Sequence, residues 1–257
     1  MNNAVQSMLN AAQAGVGVGV QTWITSQVIG DRMSGFREDW AIAEAIPGWF
    51  NEANAATFWA LVADVRPSTV VEIGSYLGRS TILIGLSLKR FSPHARLVTI
   101  DPHTGDMQQL QAIGAPSLPT LELFSSHVEA AGISDIVDVR VATSDAVGAS
   151  WSESIDILFI DGWHSREAVT QDSMLFASHL ASRGLVCYDD YLVYREVQDG
   201  VDGVSSPLGL HHYGTVMSQA WAGRQPTPPR VIERAVRSSK PYERAINIRQ
   251  WYHNRVT

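Results

Sequence analysis

Three aspartates of this sequence have the chemistry and the spacing to act together on one ligand. Asp161 ends an apolar run in the motif Phe159-Ile-Asp-Gly-Trp-His164, and Asp189 and Asp190 end the next apolar run. If these runs are neighbouring parallel strands, about 4.8 Å apart, the carboxylates converge on one point. Like charges that close repel unless a cation joins them, and hard oxygen ligands suit Mg²⁺ or another divalent cation. The alternative is that the carboxylates cap helices or lie in separate solvated loops.

His164 stands three residues after Asp161 and is a candidate general base. A hydroxyl group is a poor nucleophile until its proton leaves. A metal ion lowers the pKa of a hydroxyl that it binds, and a nearby base collects the proton. Histidine is suited to this role at neutral pH. The alternative is an ordinary packed or surface histidine.

A glycine-containing turn precedes these residues and predicts a cofactor site. It reads Glu72-Ile-Gly-Ser-Tyr-Leu-Gly-Arg-Ser80, and Gly74 and Gly78 let the backbone approach a ligand closely. Asp101 follows at the end of the next apolar run, where an acid commonly binds the ribose hydroxyls of an adenosine-containing cofactor. The turn has only two of the three spaced glycines of a dinucleotide fingerprint, so an NAD site fits poorly.

All of these polar residues fall at the ends of predicted strands, which alternate with helices. The predicted strands are Ser68–Ile73, Arg96–Ile100, Ile136–Val141, Ile155–Ile160 and Leu185–Tyr188. The predicted helices between them are Arg79–Phe91, Leu121–Ala131 and Glu167–Leu180. Such alternation predicts the α/β class with a doubly wound, mostly parallel sheet. In that architecture the ligand lies beyond the carboxyl ends of the strands, where these polar residues gather.

The two ends of the chain predict additions to this sheet. Asp39–Ala63 predicts a helical cap that Pro47-Gly48 breaks in two, so we divide the chain into an arm and cap at 1–64 and a domain at 65–257. Beyond the fifth strand we predict a loop, a helix and two further strands. These are Leu192–Pro207, His211–Ala222, and Val231–Val236 with Ala245–Tyr252. The last two strands would form an antiparallel hairpin at the sheet edge and complete seven strands.

Composition restricts the class of protein. A formal charge of −7 argues against a nucleic-acid partner. We expect no membrane span, and a single cysteine, Cys187 in an apolar run, favours a reducing, cytoplasmic location. The first thirty residues carry no charged side chain and predict either a loose arm or an oligomer contact. We expect a homo-oligomer that acts on a small molecule.

The glycine turn, together with Val98-Thr-Ile-Asp101, resembles the cofactor site of class I S-adenosylmethionine-dependent methyltransferases. The resemblance covers roughly Val65–Tyr191 and is greatest to metal-dependent O-methyltransferases of the catechol type and of the sugar type that includes macrocin O-methyltransferase. It implies that a set of residues binds S-adenosylmethionine through its methionine, ribose and adenine parts. These residues are Glu72, Gly74, Tyr76, Ser80, Asp101, Ser144, Asp145 and Trp163.

The resemblance also implies roles for the aspartates and the histidine. Asp161, Asp189 and Asp190 match the family's metal ligands, and His164 matches its general base. Catechol enzymes have Asn at the position of Asp190 and Lys at that of His164, whereas sugar-type members have Asp and, in some, His. We therefore expect methyl transfer to a hydroxyl of a sugar moiety in a secondary metabolite such as an antibiotic. The alternatives are a phenolic or catechol acceptor and a non-catalytic S-adenosylmethionine-binding protein. The predicted substrate contacts are His103, Asp106, Tyr194 and His211.

Overall fold

A seven-stranded sheet with helices on both faces organises the computed structural model, which describes residues 19–104 and 119–256. The strands are β1 (Thr69–Ile73), β2 (Arg96–Ile100), β3 (Val137–Arg140), β4 (Ile155–Ile160), β5 (Leu180–Tyr188), β6 (His211–Val216) and β7 (Gln219–Gly223). Their order is β3-β2-β1-β4-β5-β7-β6, with β1 to β5 parallel and β6 and β7 antiparallel. The predicted doubly wound, mostly parallel seven-stranded sheet is confirmed.

Nine helices are described on either side of the sheet and beside its edge. The first is the stretch 19–29 (α1). The others are α2 (Met33–Glu44), α3 (Glu52–Val65), α4 (Arg79–Phe91), α5 (Thr120–Ala130), α6 (Ser144–Gly148), α7 (Arg166–Phe176), α8 (Arg195–Ser205) and α9 (Arg230–Val256). Among these described helices, none combines the length and the apolar character that crossing a bilayer requires.

The central strands are apolar because both of their faces are covered. Val70 and Ile157 pack into the core on the side of the N-terminal helices, and Val71 and Leu158 pack into the core on the opposite side. Cys187 on β5 is fully buried, as its apolar run predicts, and burial raises the pKa of its thiol. A parallel sheet buried on both faces reads as nearly continuous apolar strands, which is why these strands were predictable.

The register of the parallel strands brings their ends together. Ile73 pairs with both Ile100 and Ile160, and Ile160 pairs with Tyr188. The residues that follow the four strands are Gly74, Asp101, Asp161 and Asp189. They therefore lie along one edge of the sheet, at the point where the strand order reverses between β1 and β4.

The N-terminal helices form the predicted cap, and the break at Pro47-Gly48 lies between α2 and α3 as expected. Asp39 on α2 accepts a hydrogen bond from Trp59 Nε1 on α3 at 2.7 Å and another from Arg90 Nη2 on α4 at 2.8 Å. This buried carboxylate is thereby paired and joins three helices. The cap shares one hydrophobic core with the sheet.

Three predictions for the C-terminal region are wrong. The predicted loop Leu192–Pro207 contains α8, and the predicted helix His211–Ala222 is instead the hairpin of β6 and β7. The predicted strands Val231–Val236 and Ala245–Tyr252 both lie within α9. The antiparallel hairpin at the sheet edge is real, but a different segment forms it.

Candidate active site

A cleft of about 670 Å³ opens at the carboxyl ends of β1, β2, β4 and β5. Most of the residues predicted for the site line it. They are Gly74, Tyr76, Ser80, Asp101, Ser144, Asp161, Trp163, His164, Asp189, Asp190 and Tyr194. Side chains from segments far apart in the sequence thus meet in one concave site, as ligand sites of open α/β sheets do.

Gly74 and Gly78 are required by the backbone of the turn after β1. Gly74 has φ +87° and a Cβ there would lie 2.1 Å from the carbonyl oxygen of Asp161. Gly78 has φ +95° and begins α4. No other residue type fits the first position without displacing the end of β4, so this turn can pass close to the neighbouring strand and to a ligand.

Asp101 holds the glycine turn against the end of β2. Its Oδ2 accepts hydrogen bonds from the backbone N–H groups of Ser75 and Tyr76 at 2.9 and 2.8 Å, and its Oδ1 accepts one from His103 N–H at 2.7 Å. Three of the four lone-pair sites of this carboxylate are thus occupied, one site on Oδ1 is left, and the side chain faces the cleft. The arrangement leaves an acceptor for a ribose hydroxyl.

Glu72 lies behind the glycine turn and outside the cleft lining. It is fully buried and accepts hydrogen bonds from the hydroxyls of Ser80 and Thr81, each at 2.5 Å. Burial raises the pKa of Glu72 to about 7, although the two hydroxyl hydrogen bonds oppose the shift. Glu72 therefore connects β1 to the first turn of α4, and Ser80 faces the cleft with its hydroxyl turned toward Glu72.

The predicted metal ligands form a cluster of acids. Burial, and then the charges of Asp189 and Asp190, raise the pKa of Asp161 well above its usual range. Burial and the charge of Asp190 also raise the pKa of Asp189. Asp189 Oδ1 is buried and accepts no hydrogen bond from the described residues. The amide of Gln219 lies close enough to lower the pKa of Asp189 but makes no hydrogen bond of normal geometry.

The donor chemistry of this cluster fits a hard divalent cation, because three carboxylates that repel one another gain from a shared positive charge. Within residues 19–104 and 119–256, however, no three His, Cys, Asp or Glu side chains are spaced as metal ligands. The three aspartates line one cleft without closing around a common point. The chemistry supports a metal site, and its ligand geometry stays a prediction.

His164 lies beside this cluster. Its Nε2 is 3.2 Å from Asp190 Oδ2, and its ring stacks on Tyr194 with the centroids 4.7 Å apart. The Nε2–Asp190 contact has the distance of an ion pair but not the alignment of a hydrogen bond, and Nε2 has no other partner among the described groups. His164 thus lines the cleft, and its Nε2 is a buried atom beside Asp190.

The residues predicted near adenine are placed differently from one another. Ser144, at the start of α6, and Trp163 line the cleft, and the Trp163 side chain is 63% exposed. Asp145 is exposed and outside the cleft lining, with a hydrogen bond to Thr143 that lowers its pKa.

Of the predicted substrate contacts that the structure describes, only Tyr194 lines the cleft. His103 packs its ring against Phe124, with centroids 5.1 Å apart, outside the cleft lining. His211 pairs with Gly223, which pairs with Leu185. That position is toward the opposite edge of the sheet, so the prediction for His211 is corrected. Asp106 lies outside the described residues.

Sequence reasoning missed a wall of the cleft formed between α2 and α3. Trp49 is 66% exposed, and its ring lies 5.8 Å from that of Tyr76. Arg79 holds this segment by donating hydrogen bonds to the carbonyl oxygens of Ile46 at 2.6 Å and Phe50 at 3.4 Å. Pro47-Gly48 predicts a break between two helices. Such a break also places the next residue on a loop that can reach a ligand.

A buried acid was also missed. Asp172 on α7 lines the cleft and is almost fully buried. Its position within a helix gave no signal, because helix patterns do not reveal which polar residue faces a cleft.

A comparison with known families gives a match over the part of the chain that carries most of the cleft. Residues 71–191 match the family model described as a methyltransferase domain. The match begins within β1, includes the glycine turn and Asp101, and ends just after Asp190. The chain therefore carries a methyltransferase domain over these residues, which confirms the resemblance, and its metal dependence stays a prediction.

Solved structures of methyltransferases share this fold. The SAH-bound methyltransferase PaMTH1 from Podospora anserina is 12% identical, with a TM-score of 0.54, over 74% of this chain and 87% of that chain. The O-methyltransferase TomG from Streptomyces achromogenes, involved in tomaymycin synthesis and solved in complex with SAM, is 15% identical with a TM-score of 0.51. That match covers 67% of this chain and 80% of TomG. At these identities the shared feature is the fold.

Proposed function

We propose that the protein transfers the methyl group of S-adenosylmethionine to a hydroxyl group of a small molecule. One observation carries the proposal: the glycine turn with Asp101 and the acid cluster with His164 line the same cleft. The first set suits an adenosine-containing cofactor, and the second suits removal of a hydroxyl proton. The O-methyltransferase TomG, solved in complex with SAM, has the same fold and supports the proposal.

The cofactor would lie along the glycine turn. Gly74 and Tyr76 would contact its methionine part, and Asp101 would accept a hydrogen bond from a ribose hydroxyl. S-adenosylmethionine supplies a methyl group on a positively charged sulfur, and this sulfur leaves as the neutral thioether when the acceptor oxygen bonds to the methyl carbon. The nearby carboxylates give the cleft a negative field that favours a cationic ligand.

Asp161, Asp189 and Asp190 would hold Mg²⁺ or another divalent cation. The raised pKa values of Asp161 and Asp189 and the unpaired Oδ1 of Asp189 support this assignment. A bound cation lowers the pKa of a hydroxyl that it ligates and orients the acceptor.

His164 would accept the hydroxyl proton at Nε2. A neutral imidazole has a lone pair at that nitrogen, and Asp190 Oδ2, 3.2 Å away, would provide a negative charge for the imidazolium that forms. Stacking on Tyr194 holds the ring in one orientation. The proton thus passes from the acceptor oxygen to His164 as the oxygen gains the methyl group.

For the acceptor we propose a sugar moiety of a secondary metabolite such as an antibiotic, because His164 and the Asp189-Asp190 pair match the sugar-type pattern. A phenolic acceptor is the second candidate, and a specific observation favours it. Trp49, Trp163 and Tyr194 present exposed aromatic surface to the cleft, which would pack well against a planar ring.

Calorimetric titration of S-adenosylmethionine, with NAD as the control, tests the cofactor site. Acceptor panels of glycosides and phenols, assayed with Mg²⁺ and with EDTA, then test the reaction. We expect saturable binding of the methyl donor alone and Mg²⁺-dependent transfer to one panel. Binding without transfer to any acceptor would favour a non-catalytic binding protein, and absence of binding would refute the proposal.

A further inference from the structure

Asp172 is a buried acid that the proposed chemistry does not use. Its side chain is 4% exposed yet lines the cleft. Its Oδ2 lies 3.7 Å from the position that a Cβ on Gly162 would occupy, so the carboxylate packs beneath the loop after β4. The hydroxyl of Ser144 and the charge of Asp145 act on the pKa of Asp172. The acids that act on the pKa of Asp161 are different ones, namely Asp189, Asp190 and Glu72. Asp172 therefore belongs to a separate part of the cleft.

A carboxylate in this environment requires a hydrogen-bond donor. Burial raises the pKa of Asp172 to about 6, and the Ser144 hydroxyl opposes the shift. A buried carboxylate is destabilising when it is ionised unless hydrogen-bond donors surround it. A ligand that brings an N–H group into this part of the cleft would relieve that penalty. It would therefore bind more tightly than a ligand without such a group.

The position of Asp101 indicates which part of the cofactor reaches Asp172. With the ribose at Asp101, which follows β2, the cleft lining extends along the strand order toward β4 and β5 on one side and toward β3 on the other. One leads to His164 and the acid cluster, which the reacting end of the cofactor must face. The other is lined by Thr143, Ser144, Ala168 and Asp172, and it is where the base attached to the ribose would lie.

We infer that Asp172 is a specificity-determining residue that accepts a hydrogen bond from the exocyclic 6-amino group of the cofactor's adenine. This inference rests on the proposed function, because it assumes an adenosyl cofactor in the cleft. It assigns to Asp172 a contact with adenine that the sequence had suggested for Asp145. The structure supports the change, since Asp145 is exposed and Asp172 faces the cleft.

Two ligands that differ by this amino group test the inference. Calorimetry would compare S-adenosylhomocysteine with its analogue in which hydrogen replaces the 6-amino group. In the wild-type protein we expect the analogue to bind more weakly by about ten- to a hundredfold, the range for a hydrogen bond to a charged group. In Asp172→Ala the two ligands should bind equally, and in Asp172→Asn, which keeps one acceptor oxygen, the difference should shrink to a few-fold. Glu167→Ala, on the exposed face of the same helix, is the matched control and should discriminate like the wild type.

The outcomes separate this inference from the proposed function. Equal binding of both ligands to the wild type, or undiminished discrimination in Asp172→Asn, would overturn the role of Asp172 while leaving the methyl-donor site intact. Failure of the wild type to bind S-adenosylhomocysteine would refute the proposed function, and the inference with it. If Asp172→Ala does not fold, as judged by its thermal unfolding, the isosteric Asn variant and the wild-type comparison still decide.

Discussion

The imidazole ring of His164 stacks on the phenol ring of Tyr194, with the centroids 4.7 Å apart and the planes inclined by 17°. The two residues come from different loops, one after β4 and one just before α8. The backbone N–H of Tyr194 also donates a hydrogen bond to the carbonyl oxygen of Asp190 at 3.0 Å. The candidate base is therefore oriented by a ring whose backbone is tied to a proposed metal ligand, so the groups proposed to activate the acceptor are positioned together.

Replacing His164 by alanine should abolish proton removal without disturbing the cofactor site. We expect kcat to fall by about 10²–10⁴-fold, the usual contribution of a general base. The Kd for S-adenosylmethionine, measured by calorimetry, should stay the same, because the glycine turn and Asp101 are untouched. His94→Ala, an exposed histidine outside this cleft, is the control. Unchanged turnover in His164→Ala would refute the assignment of the base.

Tyr194 should act through the position of His164. Tyr194→Phe keeps the stacked ring and should retain nearly wild-type kcat, whereas Tyr194→Ala removes it and should lower kcat by about tenfold, since misplacement of a catalytic group is costly. Steady-state kinetics of the two variants would show this difference. Equal loss in both variants would instead assign the effect to the hydroxyl and contradict the stacking argument.

Asp189→Asn should have opposite effects with and without metal. In EDTA near neutral pH we expect the variant to be more stable than the wild type by about 1 kcal/mol, because one buried charge and its repulsion are removed. Mg²⁺ should raise the free energy of unfolding of the wild type, by about 2.7 kcal/mol at a hundred times its Kd, and not that of the variant. Urea unfolding in both conditions measures these changes, with the exposed Asp31→Asn as control. A wild type indifferent to Mg²⁺ would argue against the metal site.

Glu72 should make the stability of the metal-free protein depend on pH. Folding raises the pKa of Glu72 from 4.5 to about 7, so between these values the folded state binds more protons than the unfolded state. Glu72 therefore contributes its full stabilisation below pH 4.5, the unfolded-state pKa. The free energy of unfolding then falls by up to about 3 kcal/mol as the pH rises through the folded-state pKa of about 7.

Glu72→Gln removes this titration and tests the argument. Its free energy of unfolding in urea should fall less across the same pH interval than that of the wild type. Some decline should persist, because the pKa values of Asp161, Asp172 and Asp189 are raised as well. The exposed Glu129→Gln should follow the wild-type profile. An identical profile for Glu72→Gln would refute the raised pKa of Glu72.

Gly74 should tolerate no side chain. A Cβ there meets the Asp161 carbonyl oxygen at 2.1 Å and the φ is +87°, so Gly74→Ala should lower the free energy of unfolding by an amount on the order of 3–5 kcal/mol. Gly203→Ala in α8 is the matched control, because nothing lies within 4 Å of its Cβ and alanine favours a helix by about 0.5–1 kcal/mol. Urea unfolding should show opposite signs for the two variants. A neutral Gly74→Ala would mean that the turn can move.

The sequence alone determined the parallel sheet and the residues at its edge. Apolar runs separated by helical patterns predict parallel strands, and in such a sheet each strand ends at the same edge. Asp101, Asp161 and Asp189 each follow a strand directly, so their meeting in one cleft required only local patterns and this geometric rule.

The C-terminal region was misread because its signals are non-local. The turn between β6 and β7 at Met217-Ser218 has no glycine, although Met217 takes φ +49°. Among the described side chains of α9, the buried apolar ones are Val231, Ile232, Ala235 and Val236. Their spacing is helical, but over a short window it can be mistaken for the alternation of a strand. In α8 the buried residues Val197, Val201 and Val204 have a helical spacing. This spacing predicts a helix where the sequence analysis expects a loop.

Only the tertiary structure decided which polar groups face the ligand. Arg79 binds the carbonyl oxygen of Ile46, 33 residues earlier, and this contact holds the wall that carries Trp49. The charge of Asp145 acts on Asp172, so the two acids are near each other, yet packing exposes the first and buries the second in the cleft. Local sequence patterns place a residue on an element, but its depth and partners depend on how distant elements pack, because burial and charge pairing are properties of the assembled core.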